Sequence, residues 1–369
     1  MEKENIVKSY LDKGMLLTPE ALSFLENQKE ELKPVQEKLV LTPQDFVQRD
    51  AKTEKVRVIK NITEKLKEAS TDDFVRFYMS RYEKTKNILM KRLQKNFISL
   101  NKLDSFRNEV YVIGIVKDVK EKEKGVAVDL EDQTATIPIL FEEKNDLELD
   151  DVVAVRAVSG GKILFGKEII YPDIPLRTPV KGHGKVCFIS DLHLDESPSA
   201  DIEKFFTWFE NQDIKYLFIA GDTADVKSLD DMVAKHCYGR KVFVIPGNVD
   251  GDEYPQLPMN FDSREIIPLS NPSMVEVNGV KILVIHEMDI SMLKKRHLGK
   301  TRAVMAEDHL VLEEVPDIVH FGHTHEPQIM NYKSVTLVNS GSPLAKFRPV
   351  VIDLETREAA QVDLMRSKI

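Results

Sequence analysis

Short apolar runs that stop abruptly at a carboxylate, an amide or an imidazole recur through the carboxy-terminal half of this chain. Cys187-Phe188-Ile189-Ser190 ends at Asp191, with His193 two places on. Tyr216-Leu217-Phe218-Ile219-Ala220 runs into Gly221-Asp222, and Val242-Phe243-Val244-Ile245 runs through Pro246 into Gly247-Asn248-Val249-Asp250. Residues 280–285 deliver His286, and Ile318-Val319-His320-Phe321 leads into Gly322-His323-Thr324-His325. Apolar runs of this length, bounded by polar residues, read as buried strands. The polar residues then fall at the carboxyl ends, where open α/β sheets place their ligands. Residues 199–211 and 226–235 read as helices alternating with the strands. Asn278-Gly279 is a two-residue hairpin signal, and 334–339 and 349–354 read as further strands.

Upstream the pattern differs. Residues 110–116, 126–130, 135–141, 151–157 and 163–169 predict five short strands, with turns at 121–125, 131–134 and Gly160-Gly161. A meander of this kind with one longer connection predicts an OB-fold over 108–176. Such barrels often bind single strands through stacked aromatics on a basic groove. Here the strands are aromatic-poor and the loops acidic (Glu142, Glu143, Asp146, Glu148, Asp150, Asp151), which favours a protein-contacting barrel. Tyr171-Pro172-Asp173-Ile174-Pro175 closes that domain, because proline resists helix and interior strand alike. Lys181-Gly182-His183-Gly184 is read as the hinge into a domain over 184–369.

Thr71-Asp72-Asp73-Phe74 opens a helix to about Leu93, apolar at Phe74, Phe77, Tyr78, Tyr82, Ile88, Leu89 and Leu93. Its other side carries Arg81, Lys84, Lys86, Lys91, Arg92 and Lys95, read as a solvated face with nucleic-acid contact as the alternative. Residues 46–70 have weak periodicity and read as linker, so that 46–107 is linker plus amphipathic helix. Residues 1–45 read as short helices. One spans 5–12, and another starts at Thr18-Pro19, with Thr as N-cap and Pro in the first turn. They form either a docking module or a tail.

At 369 residues there is room for two or three domains. With 42% hydrophobic and 31% charged residues the chain reads as soluble and globular. No apolar run approaches a membrane span, and the amino end lacks an apolar signal core, so a cytoplasmic setting is expected. The two cysteines, Cys187 and Cys237, read as inert core thiols rather than a disulfide framework. A net charge of −9 argues against a protein that coats nucleic acid unaided.

The polar strand ends supply the chemistry. Asp191, His193, Asp222, Asn248, His286, His323 and His325 would converge on one pocket. Carboxylates and imidazoles crowded without a cation suffer desolvation and like-charge repulsion, which bound divalent ions reverse. Seven mixed donors exceed one tetrahedral zinc and suit two metals sharing a carboxylate. The oxygen and nitrogen mix points to manganese, iron or zinc rather than calcium.

The order D-x-H, G-D, G-N-x-D, H, G-H-x-H resembles the calcineurin-like metallophosphoesterases. The resemblance implies a two-sheet αββα sandwich with Asp222 bridging two metals. It would put Asp191, His193 and His325 on one metal, and Asn248, His286 and His323 on the other. One position departs: the family usually reads G-N-H-D, and Val249 stands where that histidine would be. In the family the histidine contacts the scissile phosphate and assists the leaving group, so hydrolysis should be slow here. Asp250 and His297 are candidate stand-ins.

The order helical segment, OB-fold, calcineurin-like domain resembles the small subunit of archaeal family D DNA polymerase. Local phrases agree, among them Gly14-Met15-Leu16-Leu17-Thr18-Pro19, Pro255-Gln256-Leu257-Pro258, Met292-Leu293-Lys294-Lys295-Arg296-His297-Leu298 and Val338-Asn339-Ser340-Gly341. The expected fold class is therefore a multidomain α+β chain with a helical amino-terminal region, a five-stranded OB-fold barrel and a calcineurin-like sandwich. The resemblance implies a 3′→5′ proofreading exonuclease with two divalent metals, manganese foremost, a large catalytic subunit as partner, and primer-template DNA as substrate. Lys294, Lys295, Arg296, Lys300 and Arg302 form a compact basic cluster, read as a DNA contact or a solvated helix face. The alternatives are the same subunit acting only as scaffold and processivity partner, and a stand-alone metallophosphoesterase.

Overall fold

The computed structural model describes residues 3–26, 39–42, 54–64, 70–104, 107–196, 199–301 and 304–364. The chain divides into two compact units, Met1–Glu54 and Lys55–Ile369. In the first, helices Lys3–Leu11 and Pro19–Glu26 pack around Ile6, Tyr10, Met15, Ala21, Leu25 and Leu41. Leu16–Leu17 pairs in parallel with Val40–Leu41, so this unit is not purely helical.

In the second unit, Glu109–Glu121, Val126–Glu131, Thr136–Phe141, Leu164–Ile170 and Val152–Ser159 close into a barrel in that spatial order. All neighbours are antiparallel except Thr136–Phe141 with Leu164–Ile170. Val112, Val128, Leu130, Ile139, Val155 and Leu164 fill it.

Two six-stranded sheets stack beyond the barrel. One runs Ile266–Pro268, Lys241–Ile245, Tyr216–Ala220, Lys185–Ile189, Val350–Asp353, Ala359–Gln361. The other runs Pro327–Tyr332, Val335–Ser340, Ile318–His320, Val280–Val284, Ser273–Val277, Val56–Lys60. Phe188, Phe218, Phe243, Val275, Ile282, Val284 and Val338 form the core between them. The central parallel strands are buried on both faces, which is why they are continuously apolar. Helices Ser199–Glu210 and Val226–His236 cover the first sheet with Ile202, Phe205, Phe206, Phe209, Leu229 and Val233. The second sheet is covered by the short helix Ile290–Lys295 and the stretch through Leu312. Both thiols are free and buried. The Asn278-Gly279 turn has both φ values positive, as its hairpin type requires.

Two further expectations need correction. Within the expected linker, Val56–Lys60 is an edge strand antiparallel to Ser273–Val277, with Val56 opposite Val277. The helix Thr71–Leu93 has the predicted start, with a capping box between Ser70 and Asp73, but its basic side is not simply solvated. Arg81 is buried and its Nε donates to Asp308 Oδ2 at 2.6 Å, while Arg92 Nη1 donates to the carbonyls of Tyr171 and Pro172. Tyr82 and Leu89 of the same helix pack on Ile113, Val152 and Ala154 of the barrel. No helix among the described residues is long and apolar enough to cross a membrane.

Candidate metal centre

The parallel register aligns the strand ends. Ile189 lies opposite Ile219, and Ala220 opposite Ile245, so Asp191, Asp222 and Asn248 emerge at one edge of the first sheet. In the second sheet Val284 lies opposite His320, which sends His286, His323 and His325 toward the same place.

Side chains complete the convergence. One ligand atom each from Asp191, His193, Asp222 and His325 falls within 4.8 Å of the others. His193 Nε2 lies 3.1 Å from His325 Nε2 and 3.6 Å from Asp222 Oδ2. On the other side of Asp222, the same Oδ2 lies 3.3 Å from His286 Nε2. Asn248 Nδ2 is 3.3 Å from His323 Nδ1, and the His286 and His323 rings meet edge-on. All seven sequence-predicted donors are thus brought together, with Asp222 between two groups of them.

The backbone is bent to allow this. Asp191, His193, Asp222, His323 and His325 have φ between 43° and 68°. That left-handed region is uncommon for residues with a Cβ, though Asp and His tolerate it better than most. Each such residue costs roughly 1–3 kcal/mol, which the surroundings must hold in place. Two glycines have no alternative. A Cβ on Gly322 would stand 2.6 Å from Asp191 Oδ2, and one on Gly247 would stand 2.4 Å from Asp222 Oδ1.

The electrostatics fit a cation. Burial pushes the Asp191 carboxyl up, and its Oδ2 has no hydrogen-bond partner among the described residues. Burial also works against an ionised Asp222, but the His286 imidazole, the Val249 N–H at 3.0 Å and His193 outweigh it and hold Asp222 below its ordinary value. His286 is drawn the other way: burial opposes its charge, yet Asp222 and the Ala220 carbonyl raise it. An unpartnered buried carboxylate oxygen among imidazoles, cradled by glycines, is the donor set a divalent ion needs.

The candidate stand-ins for the absent histidine point elsewhere. Asp250 accepts from the backbone N–H groups of Gly247, Thr223 and Ala224 at 2.8, 3.1 and 2.9 Å, so it clamps two loops together. His297 Nε2 lies 3.0 Å from Asp308 Oδ2, and burial lowers its pKa. Val249 itself is 52% exposed, and its N–H donates to Asp222 Oδ1 at 3.0 Å.

The basic cluster is likewise not a free patch. Lys294 pairs with Asp146 at 2.6 Å and sits 4.0 Å over the Tyr171 ring. Lys295 meets Glu148 and Asp151 at 3.1 and 3.0 Å, and Lys300 meets Glu148 at 3.3 Å. Arg296 is buried, donating to the carbonyls of Leu312 and Glu313. Arg302 lies outside the described residues. The acidic barrel loop therefore packs against this chain's own sheet domain.

Asn339, met in the sequence only within the family-like phrase Val338-Asn339-Ser340-Gly341 and given no role there, donates through Nδ2 to the Gly322 carbonyl at 2.9 Å and steadies the loop that carries His323 and His325.

Residues 185–357 match the calcineurin-like phosphoesterase superfamily domain. Across a longer stretch the chain is 30% identical to the DNA polymerase II small subunit of Methanothermobacter thermautotrophicus, covering 73% of this chain and 72% of that one. The chain belongs to the DNA polymerase II small-subunit family. Members from Archaeoglobus fulgidus (29% identity, 78% of this chain, 74% of theirs) and Thermoplasma acidophilum (27%, 93% and 86%) show the same relationship. As a member of this archaeal family D small-subunit group, the chain carries a metallophosphoesterase domain whose family binds divalent metals.

Proposed function

We propose that this chain is the small subunit of a two-subunit archaeal replicative DNA polymerase, and that its phosphoesterase centre acts as a 3′→5′ exonuclease. The observation that carries the reading is Asp222 Oδ2, which faces His193 on one side and His286 on the other. That placement suits a carboxylate shared by two divalent ions, manganese first, iron or zinc in its place. Asp191, His193 and His325 would hold one ion, and Asn248, His286 and His323 the other. When bound, the ions supply charge stabilisation to a phosphoryl group in transfer.

This chain's residues set the rest of the chemistry. Glycines at 247 and 322 keep the carboxylates close, and Val249 offers no proton to a departing 3′ oxygen. General acid help is typically worth about 10²–10⁴ in rate, so the reading is of a slow exonuclease whose leaving group takes its proton from solvent. The barrel's strand order supports an OB-fold, and a large catalytic subunit and primer-template DNA are the partners the family membership suggests.

A second reading, the same subunit as a non-hydrolysing scaffold, is favoured by Val249 together with the cleft beside Asn248. That cleft, about 460 Å³, carries Asp252, Glu253 and Glu287 against one lysine, Lys300, a balance of charge that disfavours a phosphodiester. The complex of both subunits with Mn²⁺ and a 3′-mismatched primer separates the two. Nucleotide loss with wild type but not Asp222→Asn supports the nuclease; no loss with metal bound supports the scaffold.

A further inference from the structure

Behind the centre lies a pair of buried side-chain amides, Gln256 and Asn271, only 7% and 3% exposed. Their backbones exchange hydrogen bonds in both directions, Gln256 N to Asn271 O at 2.9 Å and Asn271 N to Gln256 O at 3.0 Å. Their side chains are also joined, Asn271 Nδ2 donating to Gln256 Oε1 at 2.7 Å. What remains of each amide points at the centre's scaffold. Gln256 Nε2 donates to the Gly247 carbonyl at 2.7 Å and the Gly251 carbonyl at 2.8 Å. Asn271 Oδ1 accepts from the backbone N–H of His286 at 3.1 Å.

The Gly247 carbonyl belongs to the peptide plane that launches Asn248. The His286 N–H fixes the backbone from which that imidazole departs. One two-residue bridge thus ties together the supports of Asn248 and His286, and no bond from it reaches Asp191, His193 or His325. Buried amides are held to their partners firmly, since a broken bond leaves a polar group in a dry interior.

We infer that Gln256 and Asn271 are positioning residues for one half of the centre: they set the spacing of Asn248 and His286 and so govern the second cation and not the first. The inference rests on the two-cation reading above. Partners that orient metal ligands typically change affinity about 10–100-fold, and here the change should fall on one ion only.

The test is a manganese titration of the chelator-stripped full chain, counting bound ions and following thermal unfolding in parallel. Wild type should take up two ions. Gln256→Leu and Asn271→Leu should each hold one at wild-type affinity and bind the other about 10–100-fold more weakly. Val275→Ala, a core change between the sheets, should lower thermal stability without separating the two affinities. Gln256→Glu serves if the leucine variant does not fold, because it keeps the shape and the acceptor for Asn271 while removing the amide donors. Two ions held as tightly as in wild type, or a parallel loss at both sites, would overturn the inference. Wild type binding fewer than two ions is a separate result and would overturn the two-cation reading itself.

Discussion

His193 and His325 present their Nε2 atoms to each other at 3.1 Å. Of two imidazole nitrogens so placed, at most one can donate to the other. With Asp191 and Asp222 beside them, the pair is better arranged to share a cation than to share a proton.

Removing a donor from one group should therefore separate the two halves. His325→Ala is expected to lose one manganese ion and retain the other, whereas Asp222→Asn should weaken both. The loss of a direct donor should exceed the roughly 10–100-fold effect of an orienting neighbour. Calorimetric or spectroscopic counting of Mn²⁺ checks this, and equal loss of both ions from His325→Ala would contradict the division.

Val249→His tests the departed acid. Because Val249 is half exposed and its bond to Asp222 comes from the backbone N–H, which the substitution keeps, metal binding should be unchanged. The exonuclease rate should rise by about 10²–10⁴, and fall again as pH rises past about 6.5 and the new imidazole loses its proton. A rate no higher than wild type, with both ions bound, would favour the scaffold reading.

Arg81, Asp308 and His297 form a buried junction between the long helix and the sheet domain. Burial disfavours the Asp308 carboxylate, but His297 and Arg81 outweigh it and hold Asp308 well below the usual carboxylate range. A depressed carboxyl contributes stability above its unfolded pKa, about 3.9, that is lost as pH falls below it. Asp308→Ala leaves the buried Arg81 with only the longer 3.8 Å contact to Asp150 and should cost about 3–5 kcal/mol. Urea unfolding at neutral pH measures that loss; a change below about 1 kcal/mol would place the pair among weakly coupled surface pairs.

His320 supplies a pH effect of its own. It is fully buried, Nε2 donating to the Ile189 carbonyl at 2.8 Å, and burial lowers its pKa to about 4. The unfolded chain binds a proton near pH 6.5, so stability falls as pH drops from about 6.5 toward the folded value, by up to about 3 kcal/mol. His320→Gln, which keeps a donor, should unfold with a flatter pH profile across that window. Comparing the two proteins cancels the titrations they share, and parallel profiles would rule the assignment out.

The centre was legible because doubly buried parallel strands must be apolar throughout, so each polar residue at a strand end stands out. Val56–Lys60 gave no such signal: an edge strand with alternating Lys, Arg and Val meets its partner some 220 positions later, and no local pattern encodes that pairing. Arg81 and the Lys294–Lys300 stretch misled for a related reason. Lysine and arginine on a helix or loop look solvated until their acids are found, and here Asp308 lies 227 positions from Arg81. Asn271 was quieter still, since a lone amide in a mixed stretch reads like any loop residue, and Gln256 stood out only as part of the Pro255-Gln256-Leu257-Pro258 phrase, which assigns it no role.

Because Val56–Lys60 adds an edge strand to a sheet whose other strands begin at Ser273, the long helix and the barrel are enclosed between two segments of that sheet, although the phosphoesterase match itself begins at residue 185. Cutting the chain at the apparent hinge near 184 would keep the matched phosphoesterase stretch but lose this strand. It would strip one rim from the sheet and bare the backbone of Ser273–Val277, an invitation to edge-to-edge association. A soluble fragment of the phosphoesterase domain would have to bring residues 55–60 with it, joined across the gap to 181.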